Sequence, residues 1–305
     1  MPSFHPRVSS GKADARRKAD LIIALAGNAN VGKSVLFNCL TGSHQHVGNW
    51  PGKTVERAEG SLRFKGYAID VIDLPGIYSF STFSLEELIS REYIAFEKPD
   101  VIVNVVDACV LERNLFFTLQ LIELQVPTII ALNMVDLARE KGIIIDEKRL
   151  SDLLGVPVTP TIGIKAIGVD KLVEQAIKIA KGEAKTEPRE IRYGKEVEER
   201  VKKLENLLKE VELSYPARFV ALKLLEGDEA IKKEVLDVDG RIVKIAEECA
   251  KEIERIHGER CSVVISSERY VIANRIVKGV QKDVLPAKAG LTERIDELIT
   301  HKILG

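Results

Sequence analysis

The sequence predicts an α/β fold, a mostly parallel sheet covered by helices, followed by a small all-α domain. Three observations predict it. Short apolar runs alternate with helical patterns from Leu21 to about Lys181. The first junction, Gly27-Asn28-Ala29-Asn30-Val31-Gly32-Lys33-Ser34, has the G-x-x-x-x-G-K-S spacing of a phosphate-binding loop between strand and helix. Past about Gly182 strand alternation stops, and segments of helical spacing take over.

Totals bound the answer. The chain has 305 residues, long for one typical domain and natural for two. A hydrophobic content of 45% with 30% charged residues is an ordinary globular balance. A net charge of −1 argues against a protein held mainly by nucleic-acid phosphates. Cys39, Cys109, Cys249 and Cys261 form no C-x-x-C and suit apolar positions in a reducing compartment. No apolar run approaches bilayer length, and the basic N-terminus lacks the apolar core of a secretory signal.

In order, residues 1–19 read as a disordered basic tail. Leu21 to Ala26 is a buried strand, and the helix after the loop runs to about Leu40. Ser43 to Thr54, with Gly, Asn, Pro and the lone Trp50, reads as a long loop. Val55–Lys65 and Tyr67–Ile72 are strands turning at Gly66. Helices near Leu85–Phe96 and Asn114–Leu124, after Asp146, and at Asp170–Lys181 alternate with strands Val101–Val106, Thr128–Leu132 and Val156–Thr159. The expected organisation is a nucleotide domain at 20–183, a charged linker at 184–192 and a helical domain at 193–305. The last holds amphipathic segments at Val197–Leu208, Phe219–Leu225, Ile242–Ile256 and Ser267–Gln281, and a short helix at Leu291–Leu304.

The chemistry follows from the loop. Its backbone N–H groups and the helix dipole make an anion cradle. Gly32 allows close approach, Lys33 reaches the β- and γ-phosphates, and Ser34 places its hydroxyl on Mg²⁺. Asp73-Leu74-Pro75-Gly76 ends a strand, as a D-x-x-G should. Asp73 is expected on Mg²⁺ through a water, and the Gly76 N–H on the γ-phosphate. Asn133-Met134-Val135-Asp136 supplies an N-x-x-D. An ionised Asp136 accepts both the N1–H and the exocyclic amine of guanine, which adenine cannot offer. Asn133 ties this loop to the phosphate loop, and Met134 is an apolar wall for the base.

The whole set resembles the translation-factor-like class of small GTPases, and so a P-loop GTPase domain. Val47-Gly48-Asn49-Trp50-Pro51-Gly52-Lys53-Thr54-Val55-Glu56 resembles the first switch of the ferrous-iron transport protein B family (FeoB). So do the phosphate loop, Asp73 to Ser79, the Met of Asn133-Met134-Val135-Asp136, and the segment Glu293 to Gly305, which is similar to the lead into that family's first membrane span. The resemblance implies GTP and GDP as ligands, with Mg²⁺ and K⁺. Thr54 would join Ser34 on Mg²⁺ when a γ-phosphate is present, and Asn30 would help hold K⁺ beside the phosphates. The catalytic set is then Lys33, Thr54, Gly76 and Asn30. Val35, Gly52, Lys53, Ile162 and Gly163 complete the nucleotide cradle. Ile77 stands where many relatives carry a water-orienting Gln, so intrinsic hydrolysis is expected near or below about 10⁻³ s⁻¹. The guanine loop departs from the usual Ser-Ala-like pair and reads Pro160-Thr161-Ile162-Gly163-Ile164-Lys165-Ala166.

The resemblance implies a cytosolic regulatory domain on the cytoplasmic face of the cell membrane. Its partner is the membrane-embedded transporter portion of the same protein, and a second copy of the chain is a further candidate partner. Nucleic acid is not expected. The competing reading is a soluble ribosome-associated GTPase, which would want a basic groove that the mixed-charge C-terminal half does not suggest. His44 and His46 form an H-x-H, with too few ligands for a firm metal site.

Overall fold

The computed structural model describes residues 19–42, 44–80, 84–184 and 186–284. The expected tail before Ala19 and the helix at 291–304 lie outside the described residues.

A seven-stranded sheet runs in the order β2-β3-β4-β1-β5-β6-β8. Its parallel part comprises β4 (Tyr67–Asp73), β1 (Leu21–Gly27), β5 (Val101–Asp107), β6 (Thr128–Asn133) and β8 (Val158–Pro160). β2 (Gln45–Asn49) and β3 (Glu56–Phe64) add an antiparallel edge. Every residue of β6 is buried, and in β5 all but the last, as strands covered on both faces must be. Successive side chains point to opposite faces. Leu21, Ile23 and Leu25 meet Leu36, Phe37 and Leu40 of α1 (Lys33–Thr41) and Leu172, Val173 and Ala176 of α6 (Val169–Ala180). Ala24, Ala26, Ile102 and Ile130 join the core of α2 (Leu85–Glu92) and α3 (Leu111–Glu123).

That second core does not stop at the domain boundary. It continues through α3 into Val197, Phe219, Ile253 and Ile265 of α7 (Lys195–Leu208), α8 (Ala217–Glu226), α9 (Glu229–His257) and α10 (Cys261–Val280). α3 lies between sheet and bundle, which explains why Leu115, Phe117, Leu119, Leu121 and even Glu123 are all buried. α9 is two helices across a kink. Asp239 leaves helical geometry (φ −151°, ψ 98°), and its carboxylate accepts the Arg241 N–H at 2.9 Å, restarting the helix. The sequence pattern finds only the second half, from Ile242.

Two expectations need correction. The loop expected at 43–54 contains β2, a strand whose sequence Gln-His-Val-Gly-Asn has no buried face of its own and which owes its form to pairing with β3. The C-terminal half is not wholly helical. β9 (Gln281–Asp283) pairs antiparallel with β7 (Ile143–Ile145), which follows the short α4 (Val135–Glu140) of the sheet domain. The ladder is extended at both ends by Asp146 N–H to Val280 O at 2.8 Å and Val284 N–H to Gly142 O at 2.6 Å. Where it is described, the stretch expected as the linker, 184–192, is held against the sheet domain. Glu187 and Arg189 donate N–H bonds of 3.0 Å to Gly155 and Leu154 at the end of α5 (Glu147–Leu154), and Ile191 and Tyr193 are buried. Among the described residues no helix is long and apolar enough to cross a membrane.

Candidate nucleotide site

The expected phosphate-loop, D-x-x-G and guanine-loop residues lie at the carboxyl ends of the parallel strands, where open α/β sheets bind ligands, while Gly52, Lys53 and Thr54 come from the turn between β2 and β3. Gly27 ends β1, Asp73 ends β4 and Asn133 ends β6. Pro160 ends β8 and opens the loop to Ala166.

The phosphate loop is set by close backbone approach. A Cβ on Gly27 would lie 2.5 Å from Val105 O, and one on Gly32 would lie 2.4 Å from Asn133 Nδ2. Gly32 has φ +85° and Asn30 φ +66°, left-handed conformations that turn the chain into α1. Asn28 is buried, Asn30 exposed. Gly76 packs on Ala29, with 3.2 Å between its would-be Cβ and Ala29 Cα. The segment behind it is stitched to β1 by Leu74 N–H to Leu25 O at 3.0 Å and Ile77 N–H to Gly27 O at 3.2 Å.

Lys33 and Asp73 form a buried ion pair. Burial pushes the Asp73 carboxyl above its ordinary 3.8, and Lys33 beside it opposes that rise without cancelling it. Both side chains, with Ser34, Val55 and Glu56, line a cavity of about 370 Å³. The structure thus brings Lys33, Ser34 and Asp73 together. It does not bring Thr54 to them: Thr54 is exposed and does not line the cavity. The turn that carries Thr54 is anchored on both sides. Trp50 is buried edge-on to Tyr93 at 5.3 Å, with the Arg57 guanidinium 4.9 Å from its ring centre. Lys53 pairs with Glu92 at 3.1 Å, while Gly52 is exposed. Ile77 is buried in the core at 3% exposure, so its side chain cannot face solvent at the reacting end of a phosphate.

At the other end, Asn133 is a bridge. Its Nδ2 donates to Val31 O at 3.0 Å, and its Oδ1 accepts from Gly163 N–H at 3.0 Å and the Thr161 hydroxyl at 3.2 Å. One buried amide therefore fixes the phosphate loop to the loop after β8. Met134 is left-handed (φ 60°), and its Cε would lie 3.3 Å from a Cβ on Gly32. Val35 comes as close to Gly163, 3.4 Å from its would-be Cβ. Asp136 Oδ1 accepts the Leu137 N–H at 3.0 Å, and Oδ2 takes the Lys165 ammonium at 2.8 Å. The Lys165 hydrogen bond is the main cause holding the Asp136 carboxyl below its ordinary 3.8. Ile162 closes the loop with an N–H to Ile167 O at 3.0 Å.

Lys165, Thr161 and Cys39, whose Sγ–H donates to Gly163 O at 3.0 Å, are site residues that no spacing rule singled out. The only hint was their place in or facing a loop of unusual sequence. His44 and His46 line a separate groove of about 510 Å³ beside Glu59 and Asp70. Among the described residues no three His, Cys, Asp or Glu side chains are grouped to hold a metal ion.

A phosphate loop, a D-x-x-G and an N-x-x-D at the carboxyl ends of parallel strands of one sheet define a P-loop GTPase domain, here joined to a helical bundle. The family model described as ferrous iron transport protein B matches residues 21–176, and the model described as the FeoB cytosolic helical domain matches 193–282. The chain belongs to the ferrous iron transport protein B family. It is 42% identical to the Fe(2+) transporter FeoB of Methanocaldococcus jannaschii, over 93% of this chain and 42% of that protein. It is 40% identical to an Fe(2+) transport protein A/Fe(2+) transporter FeoB fusion protein of Porphyromonas gingivalis, over 93% of this chain and 35% of that one. The chain thus spans less than half the length of these relatives. Among solved structures, a GDP-bound point mutant of the S. thermophilus FeoB G-domain superposes with a TM-score of 0.79 at 38% identity, covering 86% of this chain and all of that one. The T. maritima FeoB cytosolic domain in its GMPPNP form gives 0.74 at 33% identity, covering 86% of this chain and all of that one.

Proposed function

We propose that the chain is the GTP-binding and GTP-hydrolysing cytosolic part of a membrane ferrous-iron transporter, switching between GTP and GDP states. The observation that carries this is the Asn133 bridge. It ties the loop that carries the guanine-type acid Asp136 to the phosphate loop that carries Lys33, which supports one ligand reaching both. GDP- and GMPPNP-bound relatives of the same fold support the ligand class. On this reading residues 20–183 are the GTPase domain, 184–192 the connection and 193–305 the helical domain leading toward the transporter portion, at the cytoplasmic membrane face.

The roles of the residues follow. The phosphate loop from Gly27 to Ser34 wraps the phosphates with backbone N–H groups. Lys33 leaves Asp73 for the β- and γ-oxygens. Ser34 and Asp73 are hard oxygen ligands lining one cavity, a donor set that fits Mg²⁺, with Asp73 acting through a water. When bound, Mg²⁺ neutralises charge developing on the transferred phosphoryl group. Thr54 swings in with its turn when a γ-phosphate is present, and Gly76 offers its N–H to the same group. Asn30, exposed on the loop, would help hold K⁺, which would supply further positive charge beside the phosphates. With Ile77 buried, no side chain at that position orients water, so intrinsic hydrolysis is slow and K⁺ speeds it. Calorimetry of GDP and GTP against ADP and ATP, with Mg²⁺, tests the base. Phosphate release in K⁺ against Na⁺ buffer tests the cation. Equal affinity for guanine and adenine nucleotides would sink the reading.

A further inference from the structure

The loop Asn133-Met134-Val135-Asp136 contains no cation, yet its acid is not left to itself. Lys165, 29 residues on, reaches back across the guanine loop to Asp136 Oδ2 at 2.8 Å, while the Leu137 N–H holds Oδ1 at 3.0 Å. With one donor on each oxygen, the carboxylate is fixed about its terminal bond. Each oxygen keeps a further acceptor site for a purine N–H. Lys165 is itself placed by the turn it belongs to. Its N–H donates to Ile162 O at 2.9 Å, Ala166 closes the turn at φ 52°, and Gly163 is gripped from both sides by Asn133 and Cys39.

We propose that Lys165 is a positioning residue for guanine recognition, locking the Asp136 carboxylate in the pose that meets the N1–H and exocyclic amine and tying that pose to the order of the guanine loop. This rests on the GTPase reading above. Lys165 is 55% exposed at its side chain, so the chain folds without it.

The test measures affinities of the whole chain for GDP, IDP and ADP by calorimetry, in Lys165→Met, Lys165→Arg and the parent. IDP lacks the exocyclic amine. Lys165→Met should weaken GDP binding about two- to five-fold, the range of an exposed ion pair. It should narrow the preference for GDP over IDP and leave the melting temperature unchanged. Lys165→Arg should restore both. GDP affinity and preference unchanged in Lys165→Met, or tighter GDP binding, overturns the inference while the parent remains guanine-selective. A parent that binds ADP as well as GDP overturns the underlying reading, and the inference with it.

Discussion

At the scale of single residues, the site is defined by how closely backbones approach one another. Gly32 is the tightest point of the phosphate loop, since a Cβ there would sit 2.4 Å from Asn133 Nδ2 at a φ of +85°. Gly32→Ala must push aside the amide that joins the two loops. Losing hydrogen bonds of about 1–3 kcal/mol each predicts at least about a ten-fold fall in GDP affinity, read by calorimetry, with the far-ultraviolet circular dichroism of the fold retained. Asp136→Asn replaces an acceptor-only group with one that also donates. Its Nδ2 then confronts a guanine N–H, and GDP affinity should drop by about ten- to a hundred-fold while ADP binding is unaffected. The phosphate loop and D-x-x-G were legible because their demands are local, a glycine where the chain turns tightly and a lysine at a helix start. The Lys165–Asp136 and Cys39–Gly163 contacts join residues 29 and 124 positions apart, and nothing in either local sequence announces the other.

At the scale of elements, the strands buried on both faces were the most readable. β5 and β6 are near-continuous apolar runs with no competing period. The helix caps were equally local. Ser84 accepts the Glu87 N–H at 3.1 Å and opens α2, and Asp146 accepts the Arg149 N–H at 2.9 Å and opens α5. What could not be read were strands made by their partners. Gln281-Lys282-Asp283 has no apolar residue and becomes β9 only because Ile143–Ile145 lies beside it. The ladder covers Ile145, which is 8% exposed, and closes the connection between α4 and α5. A chain ended at Val280 should therefore lose on the order of 1 kcal/mol and about 2–4 °C in melting temperature. Hydrogen exchange should quicken at Asp146, whose N–H loses its ordered acceptor geometry at the new terminus. Unchanged exchange there would show that β9 contributes nothing to holding β7.

At the scale of the whole molecule, the two domains share a core and an ion network. The amphipathic spacing of α7 to α10 was readable, but not the face each would bury, because that face is completed by α3 of the other domain. Arg91 of α2 pairs with Asp228 at the start of α9, and both are buried. Arg269 of α10 pairs with Glu123 of α3 at 3.2 Å and with Glu226 of α8 at 2.9 Å, while Lys223 adds a 2.6 Å bond to Glu226. Tyr193 donates its hydroxyl to Glu123, and burial raises that hydroxyl well above its ordinary 10, so it stays a donor. Removing one member leaves its partners charged and dry. Arg269→Met should cost about 3–5 kcal/mol in urea unfolding. Glu226 gives the network a pH signature. Burial alone would push its carboxyl up, but Lys223 and Arg269 together outweigh burial and hold it down to about 2, against an ordinary 4.5. A depressed folded value stabilises the fold fully above about pH 4.5 and progressively less as pH falls toward about 2, and the shift corresponds to about 3 kcal/mol. Urea unfolding of the parent and of Glu226→Gln should differ by about that amount at pH 7, and the gap should narrow as the buffer is taken to pH 3. A gap constant from pH 7 to pH 3 would mean that the charge on Glu226 does not stabilise the fold.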